Sequence, residues 1–294
     1  MNVLRRFGTV AGCFILTAAV VIAAFLLFIR PAQNHWGAAG AEVARIMPGD
    51  QIIAHPVYLT TRAITIKARP EEIWPWLVQM GYKRGGLYSY DWLDRLLGIL
   101  DRPSAARIMQ EFQILKPGHE IPMGYGPGWP VRSIDPHRSM LLDIQQHGVH
   151  VTWFWSLVPL NAGATRLILR VRGEMQIKPA MLPLASLTAV GEFAMVRRML
   201  TGIKQRVEGT PPTPSDELFE LLLWAVAIIV GVISLVLAFA REKWLRFFLL
   251  AWASLMVVCF LAMEQPQLWV GILLNFILIV WLFAALRNPR GQVM

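Results

Sequence analysis

Four long apolar runs leave this sequence few folds to choose from: Phe7–Ile29, Leu218–Ala240, Phe247–Met263 and Leu268–Leu286. A helix crossing about 30 Å of hydrocarbon needs roughly 17–25 apolar residues, so all four qualify, Phe247–Met263 being the shortest. Their one charged residue is Glu220, in the first two turns of the second run. They account for a composition of 55% hydrophobic and 16% charged in 294 residues, low in charge for a soluble chain. Residues 33–216 contain no such run and read as a water-soluble domain.

The first run exceeds the roughly 7–15 residues of a signal-peptide core. Arg30-Pro31 follows it directly, a poor context for cleavage. The expectation is an uncleaved anchor over 1–32, with a cleaved signal as the alternative. A connector (33–56), a folded domain (57–210), a Pro-rich linker (211–217) and a three-helix transmembrane region (218–294) follow. Basic residues in short flanks mark the cytoplasmic side. Arg5 and Arg6 precede the first run, Arg241, Lys243 and Arg246 separate the second from the third, and Arg287 and Arg290 follow the fourth. The loop Glu264–Gln267 has no Lys or Arg. The pattern predicts both termini inside and the soluble domain outside, in a bacterium at the inner (cell) membrane.

The net charge of +9 is spread over the flanks and the domain, with no run of five basic residues. That excludes a nucleic-acid binder and leaves a mild attraction to anionic headgroups. Cys13 and Cys259 both fall in apolar runs, so the domain has neither disulfide nor thiol nucleophile.

Within the domain, Thr60–Lys67 reads as a strand with Ile64 and Ile66 on one face. Pro70-Glu71-Glu72 opens a helix to Met80, bent by Pro75. A second helix is expected over Ser89–Leu97 with Ser89 as N-cap, and a third over Ala105–Gln110 capped by Ser104. Strands follow at Glu120–Met123, Val131–Ile134, Ser139–Ile144, Val151–Val158 and Arg166–Met175, with a hairpin turn at Asn161-Ala162-Gly163. Arg166, Arg170 and Arg172 alternate with Leu167, Leu169 and Val171, predicting one wet face and one buried face. Leu184–Glu208 reads as a long helix whose stripe is Phe193, Val196, Leu200, Ile203 and Val207. An antiparallel sheet with one apolar face needs a cover, and the long helix supplies it. The fold class is therefore α+β, and a cavity for apolar molecules is expected between sheet and helix.

TRAITIKARPEEIWPWLVQMG (61–81) resembles the opening strand and helix of the START-like, or SRPBCC, superfamily, with Pro70, Ile73, Trp74 and Leu77 matching its helical signature. GLYSYDWLD (86–94) and GIKQRVE (202–208) resemble a membrane-tethered branch of that superfamily, mostly of unassigned function. The resemblance covers about 57–210 and implies a helix-grip, β-α-α-β(6)-α, with a pocket against the last helix. Its members include lipid carriers, polyketide cyclases and receptors, so it fixes no catalytic residue.

GLYSYDWLD has two readings: a helix start, or phenols and a carboxylate (Tyr88, Tyr90, Asp91) at a pocket mouth. Trp153 and Trp155 share a strand face, as core or as ligand wall. Tyr125 and Trp129, in GYGPGWP, read as a lid or as a wide turn. Trp76 and Glu192 complete the candidate ligand contacts, Glu192 being expected to pair with Arg197 or Arg198. His119, His137, His147 and His150 form no metal-ligand pattern, although His147 and His150 could both reach one ion. No metal and no cofactor is expected, and no transport path, because Asn275 is the main polar residue at depth in the spans. Three functions stand: a membrane-anchored binder of a lipid or other hydrophobic small molecule, a structural or assembly protein with a protein partner, and a cyclase- or dehydratase-type enzyme.

Overall fold

A computed structural model describes residues 3–146, 148–175 and 182–287, with the side chains of 182–187 left aside. The chain opens with α1 (Val3–Ala24), which continues through a π-helical turn (Phe25–Ile29) into α2 (Arg30–Asn34). The short α3 (Gly40–Ala44) precedes β1 (Tyr58–Ile66), α4 (Pro70–Val78) and α5 (Asp91–Leu96). A 3₁₀ turn (Gln110–Phe112) leads to β2 (Glu120–Ile121), β3 (Trp129–Asp135), β4 (Ser139–Gln146), β5 (Val149–Asn161) and β6 (Ala164–Met175). Then come α6 (Leu182–Val207), α7 (Pro214–Ala240), α8 (Trp244–Glu264) and α9 (Leu268–Arg287). The chain divides into two units at Ile29/Arg30 and Pro212/Thr213.

The first unit holds α1, α7, α8 and α9, and the chain has four helices long and apolar enough to cross a membrane. Thr213 caps α7: its hydroxyl accepts from Asp216 N at 3.2 Å, and Asp216 reaches back to Thr213 N at 2.9 Å. With Pro214 in the first helical position this is a complete start signal, so α7 begins inside the stretch read as linker. A Cβ on Gly231 of α7 would lie 3.1 Å from Ser254 Cβ on α8, the close approach that small residues allow between apolar helices. Asn275 Nδ2 donates to the Gly271 carbonyl one turn back at 3.0 Å.

The second unit is one antiparallel sheet, ordered β1-β6-β5-β4-β3-β2, with α4 and α6 packed on it. Each strand lies where alternation placed it. Six strands form among the described residues, against the seven implied by the family pattern. Between α5 and β2 the chain carries Pro103, Pro117 and Gly118, and side chains rather than a strand partner hold its backbone. No helix forms over Ala105–Gln110. The hydroxyl of Ser104, expected as its cap, instead donates to Asp91 Oδ1 at 2.5 Å and accepts from Tyr88 N at 2.9 Å.

The sheet's outer face is not wet. Arg170 is 4% exposed and lies beneath the connector. Its guanidinium bonds to Asp50 at 2.8 Å, to Thr61 Oγ1 at 3.0 Å and to the carbonyls of Arg45, Glu42 and Val43. Arg172 holds the carbonyls of Ile53 and Ala54, and Arg166 holds both oxygens of Glu42 and the Gly37 carbonyl. Alternation of Arg with Leu marks two faces, but guanidinium groups with enough acceptors are buried as readily as exposed.

Candidate functional site

The inner face of the sheet is fixed by register. Val131, Leu142, Trp153, Val171 and Thr60 align across five strands, and Met140, Trp155, Leu169 and Arg62 form the next row. Trp129 stands edge-on to Trp153 with centroids 4.3 Å apart, and Trp153 to Trp155 at 5.6 Å. The C-terminal half of α6 closes over this face through Val196, Met199, Leu200 and Ile203. Trp76, Trp153 and Trp155 are buried in the same cluster.

Toward the N-terminal half of α6 the inner face turns polar. Arg62, 1% exposed, pairs with Glu192 at 2.7 and 2.9 Å and donates from Nε to the Gln33 carbonyl at 3.0 Å. The Tyr58 hydroxyl donates to Glu192 Oε2 at 2.5 Å. Burial, then the Glu192 charge, holds the Tyr58 phenol above its ordinary value, so it stays a donor. Burial works against the Arg62 charge, but the charge and hydrogen bonds of Glu192 outweigh it and the guanidinium stays protonated. Two polar atoms of the inner-face strands β1 and β5 are left over. Thr60 Oγ1 and Trp155 Nε1 have no hydrogen-bond partner among the described residues, and these residues are 1% and 0% exposed. A buried polar atom left unmatched costs about 1–3 kcal/mol.

The sequence named Glu192 but gave it the wrong partners. Arg197 and Arg198 lie five and six positions on, off its helix face, and stack instead on Trp36 and Tyr90. Tyr58, Thr60 and Arg62 were missed, although all three share the strand parity of Ile64 and Ile66.

GLYSYDWLD forms a latch against α6. Tyr88, at φ 59°, donates from its hydroxyl to the Trp76 carbonyl at 3.0 Å and accepts from Gln79 Nε2 at 3.0 Å. Burial, its main cause, pushes the Tyr88 phenol up as well. Asp91 grips Ser104 by both N, at 2.7 Å, and Oγ. The cap of α5 is Tyr90 rather than Ser89, whose hydroxyl donates to the Met195 carbonyl at 3.2 Å. Tyr90 is buried under Arg198. Of the expected lid, Trp129 starts β3, while Tyr125 is 87% exposed with its ring 5.3 Å from that of Tyr82. His150 Nε2 meets Asp143 at 2.8 Å on the outer face, and His147 lies outside the described residues.

A six-stranded antiparallel sheet with β1 beside β6, two short helices after β1 and one long helix after β6 packed on the inner face defines the architecture. The second unit is an α+β helix grip. No protein-family model matches the chain, and no curated sequence does. Solved structures similar to it include a Mesorhizobium loti protein (15% identity, 53% of this chain and 100% of that chain, TM-score 0.32). A Streptomyces aromatase/cyclase matches at 16% identity over 51% of this chain and 93% of its own, TM-score 0.31. A Thalictrum norcoclaurine synthase matches at 14% over 52% and 94%, TM-score 0.31. In this helix grip the pair Arg62–Glu192 ties the edge strand to the covering helix. The Gln33 carbonyl ties Arg62 to α2.

Proposed function

We propose that the chain is a membrane-anchored helix grip whose inner face binds a lipid or another largely apolar small molecule carrying an oxygen acceptor. The observation that supports this reading is the pair of unmatched polar atoms, Thr60 Oγ1 and Trp155 Nε1, beside an aromatic wall. An indole N–H only donates, so it calls for an acceptor such as a carbonyl or hydroxyl oxygen. Arg62 and Glu192 neutralise each other, so the guest needs no net charge. Trp76, Tyr88, Trp129, Trp153 and Glu192 are the side chains nearest this reading. Tyr90, Asp91 and Tyr125 hold or flank the latch. The soluble unit is read as extracytoplasmic, at a bacterial cell membrane.

The full chain, extracted in mild detergent, is examined by native mass spectrometry and its bound material identified after organic extraction. A stoichiometric apolar guest is expected, and Trp155→Phe, which removes the N–H together with the five-membered ring, should lower its retention, with the unfolding transition reporting any loss of packing. A folded protein free of any guest, in the wild type as in the variant, would refute the reading. A second reading, catalysis, is favoured by the Tyr58–Glu192 contact, which sets a phenol donor against a carboxylate base. Conversion of an added guest by the wild type but not by Tyr58→Phe would select it.

A further inference from the structure

A pocket lies away from the inner face, where α4 gives way to the loop that Asp91 holds. It has a volume of about 320 Å³ and is lined by Arg84, Arg102 and Arg107 with Pro103, Ala105 and Ala106. No carboxylate lines it among the described residues. Arg84 is half-buried and set rigidly. Its Nε donates to the Met80 carbonyl at 3.0 Å, and its Nη2 to those of Val78 at 2.8 Å and Phe112 at 3.3 Å. The guanidinium stacks on the Phe112 ring at 4.7 Å. Among the described residues these contacts leave Nη1 without a protein acceptor and the charge without a counter-ion. Burial lowers the Arg84 pKa, the mark of a cation that an anion would relieve. Arg102 has one partner, Asp101 at 3.1 Å, which also accepts from Lys83 N. Arg107 is exposed, and its side chain makes no hydrogen bond or ion pair among the described residues.

Three guanidinium groups around one small pocket, one of them held in plane by carbonyls, match the several acceptor oxygens of a phosphate. We infer that Arg84, Arg102 and Arg107 form an anion site that takes a phosphate group, either free or as a lipid headgroup. The site uses none of the inner-face residues, so it stands or falls apart from the apolar guest. Arg102 and Arg107 close over the anion from the solvent side, and Arg84 provides the fixed floor.

The test uses the full chain in phosphatidylcholine nanodiscs, titrated by calorimetry with inorganic phosphate and, separately, with short-chain phosphatidylglycerol. Saturable binding of at least one is expected, weakening as salt is raised. Arg107→Glu should weaken it by about tenfold or more, a change well resolved in an affinity measurement. The Arg107 side chain has no hydrogen-bond partner among the described residues, and its carbonyl, which accepts from Gln79 Nε2 at 3.3 Å, is retained on substitution, so this variant should keep the wild-type melting temperature. Tighter binding of the short lipid assigns the site to a headgroup, and tighter binding of phosphate assigns it to the free anion. Absence of saturable binding by both probes, or equal binding by wild type and Arg107→Glu, overturns the inference.

Discussion

Two glycines of α6 illustrate how much rests on single positions. A Cβ at Gly202 would lie 2.1 Å from the carbonyl oxygen of Tyr88, a backbone atom that cannot swing aside. Gly202 therefore sets how closely the latch docks on the helix. Gly191, in the same helix, has nothing within 4 Å of its notional Cβ. Gly202→Ala should destabilise the second unit by about 1–3 kcal/mol, as overpacking does. Gly191→Ala should stabilise it by about 0.5–1 kcal/mol, the helix-propensity gain. Thermal unfolding of the two variants checks both signs, and equal behaviour would mean that the latch does not seat there. In the sequence these glycines look alike, because what separates them is a loop more than a hundred positions away. Arg62 was closer to legible. An arginine on the apolar parity of a strand needs a buried acid, and Glu192 was the carboxylate already singled out.

At the level of elements, strand alternation and the long helix were readable because each depends on neighbours within one segment. The outer face was not, because its cover comes from the connector, whose polar sequence gives no sign of packing. Three arginines and two acids hold that cover down, and one of them makes it acid-sensitive. Hydrogen bonding from Arg166, the largest influence, holds the Glu42 carboxyl below its ordinary value of 4.5. A carboxyl depressed by folding contributes its stability in full above its unfolded pKa, and that contribution is lost as pH falls through the lowered, folded value. Thermal stability should therefore drop as pH is taken below 4.5, and Glu42→Gln should flatten part of that drop. At neutral pH the same variant should cost about 1.5–3 kcal/mol, the range for hydrogen bonds to charged groups. A pH profile identical to that of the wild type would place the acid sensitivity elsewhere. The third helix, expected over Ala105–Gln110, failed for the same reason as the wet face. Ser104 is a good cap in isolation, but Asp91 claims its hydroxyl and its N–H together.

At the scale of the whole molecule, the arrangement across a membrane follows from charge placed at short flanks. Arg241, Lys243 and Arg246 crowd the turn between α7 and α8, and the turn between α8 and α9 has no basic residue. Moving such a cationic cluster outward opposes the bias that orients spans, so the proposed arrangement puts the α7–α8 turn inside and the α8–α9 turn outside. In the same proposal Arg5 and Arg6 keep the start of α1 inside, and the second unit is outside. The native cysteines, Cys13 and Cys259, sit within helices of the first unit, so replacing both by serine leaves a background for single-cysteine labelling. In intact cells a membrane-impermeant maleimide should reach Gln267→Cys and Tyr125→Cys, the latter at an exposed side chain of the soluble unit. It should reach Glu242→Cys only after permeabilisation. Labelling of Glu242→Cys in intact cells with protection of Tyr125→Cys would invert the arrangement and move the inner-face site to the cytoplasm. It would also leave the arginine pocket facing the cytoplasm, where free phosphate, rather than a headgroup of the outer leaflet, becomes its natural anion.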